Sequence, residues 1–444
     1  MPSNRPPGPR LGLAGMMGVM RDPYTTYRRY HERYGDYWFL HAPNGRIHIT
    51  SSPEGAREVW SADPDLYLPF AVDAAAPALG DDSIFLMSGP RHRRERKLLM
   101  PAFHRDRVAQ YGDRVRDNAR RIVDALPSGG EATAQSIGMD VALDVIIDLV
   151  FGATELDLQR HIRDLVERTI DTLKPWMLFA PPLRRMPIAA SAWRRFVAVR
   201  EEAQQTMLAQ IRAARAEPDG DSVLHDMIAA TDEDGVGLGD SEIADEMITL
   251  LFAGHETTGV AIAWTMHHLL RHPDVVQRLR EALAEVGDDP LAIVRCDYLD
   301  AVCKEALRIT PIVPDVLRTL AEPATFFGRE IPAGHVVAVS VAAIHQRADL
   351  YPEPDAFRPE RFIDRRYRPW EYMPFGGGNH RCVGAVLAEF EHRLTVAELV
   401  TRCDLSLVDD RPARPVRRNI TIAPADGARM RITPRRGAPT GASA

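Results

Sequence analysis

A glycine-rich loop with a single cysteine is the part of the sequence best suited to chemistry. Pro374 to Gly384 reads Pro-Phe-Gly-Gly-Gly-Asn-His-Arg-Cys-Val-Gly, and Cys382 directly precedes a helical pattern over residues 383–400. Consecutive glycines let the backbone adopt positive φ and approach another group closely. A thiol near a helix N-terminus and beside His380 and Arg381 lies in positive potential, which favours the thiolate. The loop therefore predicts a sulfur that binds a metal or attacks an electrophile; a packed cysteine in a turn is the alternative.

A long helical pattern over Ser241 to His272 carries the second group of reactive side chains. At 1.5 Å per residue it is about 48 Å long. Its middle reads Ala-Gly-His-Glu-Thr-Thr and contains Gly254, Glu256 and Thr257. A glycine and two threonines inside a helix cost about 1 to 2 kcal/mol relative to alanine, so we expect them to serve a purpose other than helix stability. Gly254 leaves room beside the helix, and a threonine hydroxyl can bond the carbonyl of the preceding turn.

A basic run over residues 91–97 forms a third cluster of candidate ligands. A run of like charges is usually a solvated helix face, which is the simplest interpretation. His92 and Arg96 are four residues apart, so on a helix their side chains point the same way and can hold one anionic group. The other basic residues of the run cannot all share that role.

Histidines near Glu256 raise the alternative of a hydrolytic zinc site. His255 precedes the glutamate, and His268 and His272 have the i, i+4 spacing of helical metal ligands. The sequence lacks a pair of histidines flanking the glutamate, and no third ligand is apparent. We therefore predict that these histidines lie on the surface.

The cysteine loop resembles the signature of the cytochrome P-450 monooxygenases, in which a cysteine thiolate is the fifth ligand of haem iron. The residues that carry the match are Phe375, Gly378, His380, Cys382 and Gly384. The family most often has arginine two residues before the cysteine, where this chain has His380 followed by Arg381. The resemblance implies haem b with Cys382 as its axial ligand, and either His380 or Arg381 as the contact of a haem propionate.

The long helix and the basic run are similar to two further parts of the same family. Its oxygen-binding helix carries an acid and a threonine that correspond to Glu256 and Thr257, with Gly254 leaving space for oxygen. By this resemblance Thr257 donates a proton and Glu256 relays protons from solvent. A family helix with the pattern Gly-x-x-His-x-x-x-Arg holds a haem propionate, and His92 and Arg96 match it.

Two more matches extend the resemblance, which covers the chain from about Pro6 to Arg431. Arg318 corresponds to a second propionate contact. The structural triad of the family is matched by Glu305, Arg308 and Arg361, which we assign to the fold and not to chemistry. Without the other motifs, Glu305 and Arg308 would be an ordinary surface ion pair of about 0.3 to 0.5 kcal/mol.

The resemblance implies a monooxygenase that hydroxylates or epoxidises a lipophilic molecule in specialised metabolism. A terpenoid, steroid, fatty acyl chain or polyketide would suit it. Thiolate ligation favours cleavage of the O–O bond of reduced dioxygen. No G-x-G-x-x-G lies between a strand and a helix, so we expect electrons from a separate ferredoxin or flavodoxin with its reductase. The resemblance puts four basic residues on the cysteine side of the haem, where such a partner would dock: Arg93, Arg94, Lys97 and Arg381.

Two other functions fit a haem-binding chain. One is a non-catalytic haem-binding sensor or carrier, and the other is a peroxide-driven haem-thiolate enzyme. Neither needs an acid and an alcohol for proton delivery. The set of Gly254, Glu256 and Thr257 therefore favours the monooxygenase.

Length and composition are those of a globular protein large enough to enclose a prosthetic group. The chain has 444 residues, of which 45% are hydrophobic and 26% charged. Its formal charge of -7 gives no reason to expect nucleic acid as a partner. The four cysteines have no CxxC spacing, which favours a reducing, cytoplasmic setting. The apolar stretch over residues 11–20 is too short to span a bilayer, so we expect no membrane anchor.

The elements that would position these residues are mostly helical, because helical periodicity dominates and strict alternation is rare. Asp22-Pro23 predicts a helix that ends at Gly35, and Ser52-Pro53 predicts another helix start. Between them Asn44-Gly45 predicts a hairpin joining residues 37–40 to 46–50. We expect a mainly α, single-domain cytochrome P-450 fold with small β-sheets.

The chain is predicted to consist of three segments. Residues 1–20 would form a Pro-rich N-terminal arm, 21–434 the haem-thiolate monooxygenase domain and 435–444 a disordered tail. Residues 68–88 show no clear periodicity. The apolar connector 175–183 joins two predicted helices and, by the resemblance, forms a mobile lid over the substrate channel.

Overall fold

The computed structural model describes residues 7–9, 12–42, 45–70, 72–152, 156–174, 176–177, 183–184, 186–418 and 420–434. Residues 435–444, predicted to be a disordered tail, lie outside these ranges, as does most of the connector 175–183. Within the predicted N-terminal arm, Gly12–Arg21 forms a helix.

The described residues form mainly α-helices with small β-sheets, as predicted from the sequence. The helices are α1 (Gly12–Arg21), α2 (Pro23–Tyr34), α3 (Pro53–Ser61), α4 (Val72–Leu79), α5 (Gly89–Leu99), α6 (Arg105–Gln110), α7 (Gly112–Asp124), α8 (Ala134–Phe151), α9 (Leu156–Thr172), α10 (Pro187–Ala216), α11 (Val223–Ala229), α12 (Asp240–Leu269), α13 (Pro273–Val286), α14 (Pro290–Val294), α15 (Asp297–Ile309), α16 (Val341–His345), α17 (Arg361–Asp364) and α18 (Ala385–Arg402). The strands are β1 (Tyr37–Ala42), β2 (Gly45–Thr50), β3 (Tyr67–Leu68), β4 (Glu131–Thr133), β5 (Val316–Leu320), β6 (Ala324–Phe326), β7 (Arg329–Ile331), β8 (Val336–Val339), β9 (Cys403–Leu407), β10 (Pro415–Arg418), β11 (Thr421–Pro424) and β12 (Arg429–Pro434).

Backbone contacts divide the chain into two compact units. The first unit comprises the described parts of Met1–Leu66, Gly112–Val141 and Thr257–Ala444. The second comprises the described parts of Tyr67–Tyr111 and Ala142–Glu256. The long helix α12 contributes residues to both.

The larger sheet of the first unit contains the strands in the order β1-β2-β8-β5. The predicted strand pairing is confirmed, with β1 and β2 antiparallel and Tyr37 opposite Thr50, while Asn44 of the predicted turn lies outside the described residues. Strand β8 pairs parallel to β2 and antiparallel to β5, where Arg318 lies opposite Val337. This pairing therefore fixes the backbone of Arg318 beside the buried strand β8.

Side-chain caps begin the first helices at the predicted positions. The Asp22 carboxylate accepts a hydrogen bond from the Thr25 N–H at 3.1 Å, and the Ser52 hydroxyl accepts one from the Gly55 N–H at 2.9 Å. Each cap satisfies a backbone N–H that has no partner within its helix. Helix α2 ends where predicted, at Gly35 with φ 80°.

The predicted long helix is confirmed as α12. Within the first unit it packs closely against α8, where a Cβ added to Gly138 would lie 3.0 Å from the Cα of Gly259. Two of its threonines bond the preceding turn, as when Thr265 donates to the carbonyl of Ala261 at 2.9 Å. Small residues thus allow the two backbones to approach each other.

The predicted structural triad is confirmed and is buried. Arg308 donates to the Glu305 carboxylate at 2.7 and 2.9 Å, and Arg361 donates to it at 2.9 Å. The side chains of Glu305 and Arg308 are both 0% exposed. The spacing alone would indicate a weak surface ion pair, but the structure shows a buried one. Removing one partner of such a buried pair leaves an uncompensated charge.

Helix α4 occupies part of the stretch for which no periodicity was seen. Its last turn is held by Arg200 of α10, whose Nε donates to the carbonyl of Ala78 at 3.1 Å. The same guanidinium pairs with Asp245 at 2.8 Å, and both side chains are buried. Tertiary contacts within the second unit therefore stabilise a helix that the local pattern does not indicate.

Candidate functional site

The cysteine loop is a closed turn that presents one thiol. The N–H of Cys382 donates to the carbonyl of Phe375 at 3.0 Å, and the N–H of Arg381 donates to that of Gly378 at 3.1 Å. Helix α18 begins just after it, with Gly384 at its N-cap. Cys382 is exposed. The turn therefore brings the predicted loop residues together and places the thiol near a helix N-terminus, where the helix dipole favours the thiolate.

The other three cysteines are poor candidate ligands. Cys296, Cys303 and Cys403 are all buried. Burial raises the pKa of the Cys303 thiol and that of Cys403. A neutral buried thiol neither binds iron nor attacks an electrophile.

A buried histidine connects the cysteine loop to the structural triad. The N–H of Met373, just before the loop, donates to Nε2 of His345 at 2.9 Å. The carbonyl of His345 accepts from Nη1 of Arg308 at 2.8 Å. Burial lowers the pKa of His345 to about 3, so the ring stays neutral and keeps the lone pair that accepts this bond. The triad thus anchors the start of the cysteine loop.

One face of α12 is accessible in the middle of the helix. The partly exposed residues on it are Leu250, Ala253, Gly254 and Thr257. This i, i+3, i+4, i+7 spacing places them in one stripe, while His255 between them is buried. A Cβ added to Gly254 would make only an ordinary contact, 3.7 Å from Ile146. Packing therefore does not require glycine there, which is consistent with a role in leaving room. Glu256 is also partly exposed.

The candidate anion ligands lie on two regular elements. His92 and Arg96 are one turn apart on α5, with His92 buried and Arg96 partly exposed. Arg318 lies on β5 and donates to the carbonyl of Leu317 at 2.8 Å. At the cysteine loop, His380 is partly exposed and Arg381 is exposed. Each position holds a cationic or ionisable side chain on a fixed backbone.

The histidines considered for zinc do not form a metal site, and the prediction that they lie on the surface is wrong for His255. His255 is 4% exposed. His268 shares a hydrogen bond with the Thr310 hydroxyl at 3.1 Å, and Nδ1 of His272 donates to the carbonyl of His268 at 2.8 Å. Among the residues that the structure describes, no group of three or more potential ligands is placed to hold a metal ion. The rings of His268 and His272 instead pack against Phe357.

A buried carboxyl on α18 was not singled out by the sequence analysis. Glu391 is 3% exposed, and burial raises its pKa to about 8, opposed by its hydrogen bond with Thr258. Thr258 is the neighbour of Thr257 on α12. The sequence signal was weak: an acid one helical turn from Leu387 and Leu394.

The residues present fit the haem that the resemblance implies. An exposed thiol at a helix N-terminus is a suitable soft donor for iron. The cations of Arg96 and Arg318 suit carboxylates such as propionates. The accessible stripe of α12 is largely apolar and suits an apolar ligand surface.

Comparison with known proteins identifies the family. The family model described as Cytochrome P450 matches residues 2–427. The protein named "Putative cytochrome P450 135B1" of Mycobacterium bovis is 33% identical over 437 residues, covering 96% of this chain and 91% of the relative. "Putative cytochrome P450 137" of Mycobacterium tuberculosis is 33% identical over 397 residues, covering 88% of this chain and 82% of the relative.

The fold is also that of a solved structure. "Retinoic acid bound cyanobacterial CYP120A1" superposes with a TM-score of 0.84 at 23% sequence identity, covering 97% of this chain and 99% of that one. At this identity the likeness concerns the fold alone. None of the described helices combines the length and the apolar character needed to cross a membrane.

Proposed function

The chain belongs to the cytochrome P450 family and is a haem-thiolate monooxygenase, and from this premise we propose that it hydroxylates or epoxidises a lipophilic small molecule. The accessible stripe of α12, with the partly exposed Leu250, Ala253 and Gly254, supports an apolar substrate because it offers no charge to bind. A terpenoid, steroid, fatty acyl chain or polyketide, made or modified in specialised metabolism, fits this chemistry. Displacement of water from the haem by candidates of each class, seen as a spectral shift, tests the substrate class.

The observation that carries the proposal is the closed turn ending in Cys382. It presents the one exposed cysteine at a helix N-terminus, and we assign Cys382 as the axial ligand. Phe375 accepts the hydrogen bond that closes the turn, and Gly384 lies at the N-cap of α18. Cationic partners for the propionates are His92, Arg96, Arg318 and one of His380 or Arg381.

Bound haem with a thiolate ligand supplies the activation of dioxygen that inserts one oxygen atom into an unreactive C–H or C=C bond. The chain itself must hold the substrate, exclude water and deliver protons. The Thr257 hydroxyl, on the accessible face of α12, is the proposed proton donor. The carboxyl of Glu256 is the proposed relay from solvent, and Gly254 leaves space beside the hydroxyl.

Substitution of the ligand tests the assignment. Cys382→Ser is expected to abolish the red-shifted Soret band of the thiolate-bound ferrous carbon monoxide complex, because a serine hydroxyl does not ionise to supply the strong anionic donor. The measurement is the carbon monoxide difference spectrum of the reduced protein.

A matched control uses a cysteine of the same chain. Cys403→Ser, at a buried thiol at the start of β9, is expected to keep the band. Retention of the band in Cys382→Ser, or its loss in Cys403→Ser with haem still bound, would show that the axial ligand is not Cys382.

The electron source and setting complete the proposal. We propose a ferredoxin or flavodoxin with its reductase as the donor, residues 21–434 as one functional haem domain, and the cytoplasm as its location. Four free thiols are consistent with a reducing compartment, which cell fractionation tests. The alternatives of a haem-binding sensor or carrier and of a peroxide-driven enzyme are disfavoured by Glu256 and Thr257, which neither would require.

A further inference from the structure

Three consecutive glycines precede Cys382, but they do not share one explanation. Gly376 has φ 69° and Gly378 has φ 65°, a left-handed conformation that glycine adopts without strain. Gly377 has φ -158°, which is extended backbone that any residue adopts. Something other than backbone conformation must account for glycine at this middle position.

The side chain that Gly377 accommodates is Trp60, at the end of α3. A Cβ added to Gly377 would lie 2.4 Å from two carbons of the indole ring, and one added to Gly378 would lie 2.8 Å from the carbonyl oxygen of Trp60. Both distances are well below van der Waals contact. The indole ring therefore lies directly against the backbone of the cysteine loop.

Trp60 belongs to a helix, α3, that is held at several points of the first unit. Ser52 caps its N-terminus, and the carboxylate of Glu58 accepts a hydrogen bond from the N–H of Phe327 at 2.8 Å. Gly55 fits closely against the side chain of Thr50. The helix that carries the ring is therefore anchored, and a side chain at Gly377 would have to displace the ring from its place against the loop.

A displacement of the loop at Gly377 would affect the position of Cys382. The hydrogen bond from the Cys382 N–H to the carbonyl of Phe375 closes a ring of eight residues around Gly377. A shift at Gly377 must alter this closure or the backbone of Cys382 itself. The indole N–H of Trp60 is buried and has no hydrogen-bond partner within the described residues, so the contact with the loop is one of shape.

We propose that Trp60 is a positioning residue for the axial thiolate: its indole ring sets the conformation of the cysteine loop through Gly377, and so sets how firmly the thiolate is held. This role rests on the proposed assignment of Cys382 as the ligand. It goes beyond that assignment because Trp60 lies more than 300 residues earlier in the chain and is not part of the cysteine loop.

A double-mutant cycle on the haem-loaded protein tests the contact. The variants are Gly377→Ala, Trp60→Ala and both together. The readouts are the rate at which the thiolate-type carbon monoxide band converts to the blue-shifted band of the protonated thiol, and the midpoint potential of the haem. We expect Gly377→Ala to speed the conversion about fivefold or more in the parent protein and to add nothing further when Trp60→Ala is already present.

Trp370→Ala serves as the matched control, since Trp370 packs against Arg57 of α3, the helix that also carries Trp60. This substitution is expected to leave both readouts unchanged. If Trp60→Ala does not yield haem-loaded protein, Trp60→Phe replaces it, and the penalty of Gly377→Ala should then shrink. An equal penalty in every background, or a Trp60 variant with unaltered conversion rate and potential, would overturn the proposal. Failure of the ligand assignment itself would appear separately, as a thiolate-type band that survives Cys382→Ser.

Discussion

Thr257 and Thr258 are adjacent in sequence but lie in different environments. Thr257 belongs to the accessible stripe of α12, whereas Thr258 is 3% exposed and bonds Glu391. A hydroxyl that delivers a proton to a ligand must reach that ligand. Thr257 lies on the accessible face of α12, whereas Thr258 has its hydrogen bond committed to a carboxyl on another helix.

Thr257→Ala is expected to uncouple electron transfer from product formation. Without an ordered proton donor, reducing equivalents leave as hydrogen peroxide, and product formed per reducing equivalent should fall about tenfold. The measurement compares product with nicotinamide cofactor consumed and peroxide released in a reconstituted electron-transfer system.

Thr257→Ser tests whether the hydroxyl is the cause, because it keeps the oxygen and removes only the methyl group. It should restore most of the coupling. Unchanged coupling in Thr257→Ala would mean that Thr257 only adjusts the helix backbone.

At the scale of elements, the basic helix α5 is more occupied by intramolecular contacts than its sequence indicates. Arg94 donates to Asp232 at 2.6 Å and to the carbonyls of Val236 and Gly237 at 3.1 Å. Lys97 pairs with Glu233 at 2.6 Å. Asp232 and Glu233, in the turn before α12, therefore pair with two of the basic residues that the sequence analysis assigned to a redox partner. Arg93 is exposed on the same helix.

Arg93→Glu is expected to slow reduction by an acidic ferredoxin several-fold at low ionic strength, with the difference vanishing at high salt, because surface charges mainly affect the association rate. Stopped-flow reduction at increasing salt concentration measures it.

Arg94→Glu provides the comparison, since it also breaks the contacts with the turn before α12. It should lower the midpoint of thermal unfolding as well as slow reduction. If Arg93→Glu reduces with the rate and salt dependence of the parent, α5 is not the docking element.

Local signals predicted the elements that local chemistry determines. The caps at Asp22 and Ser52 were found because a side chain three residues away satisfies the helix N-terminus, and α12 was found because its pattern is long. Helix α4 was not, because its last turn depends on Arg200, more than 120 residues later in the chain. Such pairings have no signature in the local sequence.

The same distinction applies to the candidate site. Spacing placed Cys382 in a turn and put His92 and Arg96 on one helical face. It could not show that Trp60 fills the space at Gly377, or that Glu391 meets Thr258. Those contacts join distant segments, and only the packed structure brings them together.

At the scale of the whole molecule, buried ionisable groups set the pH dependence of stability. Burial raises the pKa of Glu246 to about 8 and that of Glu391 to about 8, against 4.5 when solvated. Burial lowers the pKa of His267 to about 4 and that of His392 to about 3, against 6.5. Each shift is a difference in proton affinity between the folded and unfolded states, and so contributes to stability.

The carboxyls and the histidines change the free energy of unfolding with pH in opposite directions. The two carboxyls stay protonated in the folded state up to about pH 8, so the stability they contribute is complete below pH 4.5 and is lost as pH rises through 8. The histidines stay neutral when folded, so their contribution is complete above pH 6.5 and is lost as pH falls toward 4. Of these four groups, only the two carboxyls change their contribution between pH 6.5 and 8, and this change should lower stability.

Glu246→Gln and Glu391→Gln are expected to make this decline less steep, because glutamine is neutral at every pH. At position 246 glutamine also keeps an oxygen that can accept the hydrogen bond from the Ile84 N–H. The midpoint of thermal unfolding should fall by roughly 2 to 4 °C between pH 6.5 and 8.5 in the parent and clearly less in the double variant. Glu202→Gln is the control, since pairing with Arg168 lowers the pKa of Glu202 and places its titration outside this window. An equally steep decline in the double variant would show that neither buried carboxyl ionises in this range, and that other groups govern the alkaline loss of stability.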